Sequence, residues 1–194
     1  MSSPLPLTVA EWRAFVGDYS SEFLNSDYLR RLEADPHIDV LLLVSDVQRR
    51  SGWLGFEPAS EQAVVAAEVR LGVRLPPSYR NFLLASDGGS CIGGLDLLAA
   101  EKIGWFAELE AWLIDAWSSP GLEFFADNLA VLKRCLLISD DEGGSGGHWL
   151  LHVDDVDENG EWAAYEWWPS SGEEPEKHDN VAALVTASAS RQLS

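Results

Sequence analysis

Between Phe56 and Gly89 the chain reads Phe56-Glu57-Pro58-Ala59-Ser60, then a segment closing on Arg70-Leu71-Gly72-Val73, then Leu75-Pro76-Pro77-Ser78-Tyr79-Arg80-Asn81-Phe82-Leu83, and finally Asp87-Gly88-Gly89. Each turn of that passage has a physical reason. A Ser60 hydroxyl can satisfy a free amide at a helix start. Val64, Ala67 and Leu71 fall on one side of the helix that follows, and Gly72 stops it, because glycine enters the left-handed conformation without steric penalty. Proline pushes the residue before it out of helical space, so Leu75-Pro76 is an extended entry. Pro77 suits the first turn of the next helix, where no amide is needed. Tyr79, Phe82 and Leu83 give that helix an apolar face, and Asp87-Gly88-Gly89 ends it.

Upstream, Thr8-Val9-Ala10-Glu11 forms a capping box. Val9, Trp12, Phe15, Val16 and Tyr19 then recur at helical spacing. A second short helix is expected from Ser26 to Ala34 and a third over Ile38 to Arg50, although that apolar run also fits a buried strand. Downstream, a strand is expected near Ile92 to Leu98. A helix is expected over Glu101 to Trp117, with Ile103, Phe106, Leu109, Trp112 and Leu113 as its apolar stripe. After Pro120 the character changes to strands: Cys135 to Ser139, Trp149 to Val153 and Trp162 to Trp168, divided by Gly-rich or Asp-rich turns. Val181 to Ala189 reads as a closing helix with Asp179 as its cap. Helices first and antiparallel strands later indicate an α+β fold.

The passage from Phe56 to Gly89 resembles the signature of the SUKH superfamily, in its Smi/Knr-like branch. That signature is a helix, a glycine turn, a Leu-Pro-Pro-x-Tyr element, an aromatic-rich helix and a terminal glycine. The later half is similar too. Ser139-Asp140-Asp141-Glu142 and a Gly-rich loop lead into a strand ending at Asp154, then an aromatic strand and a final helix. The resemblance covers Trp53 to Leu184, and the Smi/Knr-like domain is set at residues 53–190. Residues 1–52 form an N-terminal helical extension expected to pack on the same domain. Two features depart from the minimal pattern: that extension, and a longer aromatic segment from Trp105 to Phe125. The resemblance implies an α+β, SUKH-like fold with a mostly antiparallel sheet in the C-terminal half. It implies a non-enzymatic role: either a bacterial immunity protein that neutralises a polymorphic toxin, often a nuclease, or a regulatory or scaffold protein without a toxin partner.

Charge agrees on independent grounds. The 194 residues carry a formal net charge of −19. Nucleic acid and anionic membranes repel such a chain, because both require Lys and Arg to displace counterions. A basic protein partner is attracted and steered. The charge is also uneven: Ser139 to Asp179 holds 13 acidic side chains against one basic residue, Lys177. No apolar run has the length of a membrane span. Residues 1–7 lack the basic-then-apolar order of a signal peptide. Cys91 and Cys135 lie far apart and form no metal-type or redox-type pair, so a cytoplasmic location is the expectation.

Several constellations carry residue types suited to chemistry. Asp155, Asp157, Asn159, Gly160 and Glu166 match the spacing of a twelve-residue calcium loop. The flanks read as strands, Ala163 offers no ligand, and Asn159-Gly160 is a strong hairpin signal, so a β-turn is the better reading. His148, His152 and Asp154 fall on one side of a strand, but His148 and His152 are about 13 Å apart along it, too far to share a zinc ion. They are expected to be surface residues. Gly143 to Gly147 lacks the lysine of a phosphate loop. Trp167 and Trp168 point to opposite faces of a strand, one to the core and the other either exposed as a partner contact or buried as core or edge cover. No catalytic residue, metal or cofactor is expected. The expected partner-binding residues are Asp140, Asp141, Glu142, Asp154, Asp155, Asp157, Glu158 and Trp168, facing a basic protein.

Overall fold

A computed structural model describes residues 5–37, 44–119, 122, 125–140, 146–169 and 174–194. Its first helix, α1 (Val9–Leu24), begins at the expected capping box: the Thr8 hydroxyl accepts from the Glu11 amide, and the Glu11 carboxylate accepts from the Thr8 amide at 2.8 Å. Helix α2 (Asp27–Ala34) starts at Ser26. Of the expected third helix, residues 38–43 lie outside the described residues, and the remainder is a short α3 (Asp46–Ser51) capped by Ser45. Helix α4 (Glu61–Leu71) runs from Ser60 to Gly72, which adopts φ 71°. Helix α5 (Pro77–Ala85) follows, with Tyr79, Phe82 and Leu83 buried.

The expected strand at 92–98 is instead a hairpin. β1 (Gly89–Ile92) and β2 (Leu95–Leu97) turn on Gly93-Gly94, both at positive φ. The expected helix over 101–117 is broken into β3 (Gly104–Trp105), α6 (Phe106–Leu109) and α7 (Ala111–Trp117). Ile103, Phe106 and Leu113 are buried as expected, but Leu109 is 48% and Trp112 66% exposed. The apolar spacing was real. The backbone of Gly104 and Trp105 is taken by pairing with Leu137 and Leu136, which ends the helix register there. A further helix, α8 (Ala126–Leu132), sits where only strands were expected.

Strand β4 (Cys135–Leu137) and β5 (Ser139–Asp140) come from one run but join different sheets. β6 (His148–Val156), β7 (Trp162–Trp167) and β8 (Glu176–His178) complete an antiparallel sheet ordered β3-β4-β6-β7-β8, while β1-β2-β5 form the smaller one. Ile138 stitches the two, accepting from Leu98 and donating to Trp149 through its backbone. The closing helix α9 (Val181–Leu193) is capped by Asn180, not Asp179: the Asn180 side chain accepts from the Ala183 amide, three residues ahead, the spacing a cap requires.

One hydrophobic cluster joins Trp12, Val16 and Phe23 of α1 to Phe82, Ile92, Trp149 and Leu184. The N-terminal helix therefore shares its core with the later elements. Trp167 is buried in the same cluster and Trp168 is half-buried. Among the described residues, no helix is long and apolar enough to cross a membrane.

Candidate functional site

The expected acidic residues fall in two places at opposite ends of β6. Residues 154–158 lie at its far end and in the turn that follows. Asp140 lies beside its start. Nine extended residues span about 27–30 Å, so the two groups are separate surfaces. Asp141 and Glu142 lie outside the described residues.

At the hairpin end, tertiary contacts consume much of the charge. Arg134 forks onto Asp154 at 2.6 and 2.8 Å, and this hydrogen bonding holds the carboxyl below its ordinary range. Lys177 of β8 reaches Asp155 at 2.5 Å and lowers its pKa in the same way, with Tyr165 donating at 3.3 Å. Asp157 is committed to the turn: one carboxylate oxygen accepts the amides of Asn159 (2.8 Å) and Glu161 (2.9 Å). Gly160 sits at φ 81°. Glu158 is exposed. The calcium-loop spacing therefore closes as a β-turn. Glu166, which would be the last ligand, is opposite Trp149 several residues down the ladder. Titrating calcium to millimolar concentration is expected to give no saturable heat in calorimetry; a micromolar transition would overturn the turn reading.

The Glu166 carboxylate is buried and accepts from Arg191, with Trp149 Nε1 at 3.4 Å. Glu166, Glu176 and His178 form a convergent group of metal-capable side chains, with ligand atoms within 4.8 Å of one another. Arg191 contacts both carboxylates and already supplies the cation there. The sequence reading missed this group because its members come from two strands and its counter-charge from a helix. His148, expected on the surface, is half-buried, its ring 5.2 Å from Phe106 and 5.8 Å from Trp167. The β3–α6 segment covers it, and that cover was not foreseen. His152 lies beside Tyr165 and accepts from the Asp154 amide. The thiols of Cys91 and Cys135 are buried, and burial pushes each up to about 12. They are not poised as nucleophiles.

At the other end, Asp140 faces a groove of about 770 Å³ between α3 and the small sheet. In the β2–β5 ladder it stands directly opposite Asp96. Both side chains line the groove, with Glu57, Trp53 and Phe56. Asp96 is fixed there, one carboxylate oxygen accepting the Cys91 amide at 2.8 Å. Directly opposed side chains lie about 5 Å apart at Cβ, and like charges so placed cost stability. Lys102 is the cation lining the groove among the described residues. Asp96 was missed at the sequence level. The available signal was the alternation Leu95-Asp96-Leu97, which turns the acid outward from two buried leucines. Trp168, by contrast, packs against Gly147. A Cβ on Gly147 would come within 2.6 Å of its ring, so only glycine permits that approach.

Two antiparallel sheets under flanking helices, with an open groove lined by Glu57, Asp96 and Asp140, define an α+β domain. Residues 58–187 match the SMI1 / KNR4 family (SUKH-1), and the chain belongs to that family. A search of curated proteins finds no match.

Proposed function

We propose that this chain is a non-enzymatic immunity protein that binds and neutralises a basic toxin of the nuclease kind through its acidic surface. The observation that carries this reading is the cross-strand placement of Asp96 and Asp140, register partners in the β2–β5 ladder that both line an open groove. A cation entering the groove would meet both acidic residues at once. A guanidinium from a partner would neutralise both carboxylates and stack on Trp53 or Phe56, which an ammonium does less well. The net charge of −19 would speed encounter with a basic partner. A nuclease must present a basic face to hold its substrate, which makes it a natural fit.

The pairing of Asp154 with Arg134 and of Asp155 with Lys177 favours a second reading. A hairpin end so neutralised suits a regulatory or scaffold protein whose partner is not chosen by charge. Pull-down from the native host, together with the genes adjacent to this one, separates the two. For the immunity reading, Asp140→Lys is expected to weaken partner binding by about tenfold or more and to flatten its salt dependence. Extending the reversal to Asp141 and Glu142 should deepen the loss. Unchanged affinity and salt slope would remove the groove from the interface.

A further inference from the structure

A second groove, of about 970 Å³, runs between α1 and α9 on a different part of the surface. Its floor is apolar and shallow: Phe15, Ala14, Ala183, Ala187 and Leu193 line it, with Leu5 and Pro6 at one end. Leu5 is 37% exposed there. Along the α1 wall run three carboxylates, Glu11, Asp18 and Glu22. Their spacing of seven and then four residues places them on one line of the helix, spanning about 16 Å or three turns. All three are exposed. Glu11 is held in place by the amides of Leu7 and Thr8 and the Thr8 hydroxyl. Among the described residues, no Lys or Arg lines the groove. On the α9 wall, the Thr186 hydroxyl is buried and has no hydrogen-bond partner among the described residues.

We propose that this groove seats a basic amphipathic helix from a protein partner. Charge complementarity identifies the occupant: an apolar floor edged on one side by three aligned acids fits a helix with an apolar stripe flanked by Lys or Arg. The geometry favours a helix over a strand. The walls are themselves two helices, no sheet edge opens into the groove, and alanines on the floor allow the close interaxial approach of helix packing. The whole α1 wall and the end of α9 lie outside residues 58–187, so this surface is built largely from residues beyond the family match. The inference does not rest on the toxin reading.

The test uses the full chain and a fluorescent Leu/Lys amphipathic peptide of about 18 residues, long enough to span the groove as a helix. Binding is read by anisotropy at several salt concentrations. Asp18→Lys with Glu22→Lys is expected to weaken binding by about tenfold. Glu101→Lys with Asp115→Lys, exposed and outside the residues that line the groove, makes the same change in net charge (from −19 to −15) and is expected to change it by less than about twofold. Ala187→Trp, which fills the floor, should abolish binding while circular dichroism reports an intact fold. Asp140→Lys should leave peptide binding alone, so failure here and failure of the toxin reading are distinguishable. Equal weakening by the two charge-reversal pairs, equal binding of a Leu/Glu peptide with the same apolar pattern, or a chain dimer that Ala187→Trp disrupts would each overturn the proposal.

Discussion

Replacing Trp12 by alanine is expected to destabilise the protein by about 3–5 kcal/mol, the range for emptying a large aromatic site in a core. Trp12 is fully buried, although it precedes the family-matched residues by more than forty positions. Its ring meets Phe82 edge-on at 5.1 Å and Phe15 at 5.8 Å. Its indole N–H donates to the Ser78 carbonyl at 2.9 Å. The substitution therefore removes apolar volume and strips a buried carbonyl of its donor, and both costs fall on α1 and α5 together. Trp12→Phe keeps most of the packing and loses the hydrogen bond, so a loss of about 1–2 kcal/mol is expected. Urea denaturation followed by circular dichroism measures both. If Trp12→Ala cost less than about 1 kcal/mol, the N-terminal helix would be an accessory rather than part of the domain core.

Glu161→Ala is expected to cost about 2–4 kcal/mol. Helix α5 opens on Pro76, which has no side chain to cap it. The cap comes from 83 residues away. The largely buried Glu161 carboxylate accepts the Ser78 amide at 2.8 Å and the Ser78 hydroxyl at 2.6 Å. A carboxylate at a helix N-terminus satisfies free amides and also meets the positive end of the helix dipole. Alanine would leave both donors buried and unpaired. Ser78→Ala removes one of them, so the double substitution should cost about 1–2 kcal/mol less than the sum of the singles. A strictly additive result would show that the two residues are not coupled. Glu161→Gln, which can still accept, should fall between wild type and Glu161→Ala.

These two residues show what distinguishes legible from hidden features in this chain. Ser78 and Pro77 belong to a passage whose helix start could be read directly, while the capping carboxylate could not, because nothing local ties position 161 to position 78. The break at Gly104 had the same origin. Apolar spacing over 101–117 was helical, yet strand pairing with Leu136 and Leu137 competed for the backbone and won. The candidate site divides along the same line. Asp140 was legible as part of an acidic run. Its partner in the groove, Asp96, was not, because cross-strand register is set by distant segments. Asp154 and Asp155 were legible as charges, but not as charges already neutralised by Arg134 and Lys177.

By itself, then, the amino-acid order determined the features that close within a few residues: the caps at Thr8 and Ser60, the stop at Gly72, the extended Leu75-Pro76 entry, the turn at Asn159-Gly160, and through them the family and the α+β class. Those depend on hydrogen bonds and steric limits between near neighbours, which composition and spacing carry directly. Only the tertiary structure decided which carboxylates stand together, which are neutralised, and that α1 and α9 enclose a second groove. Those outcomes depend on how remote segments pack, and packing energies are shared across the whole core rather than written at any one position.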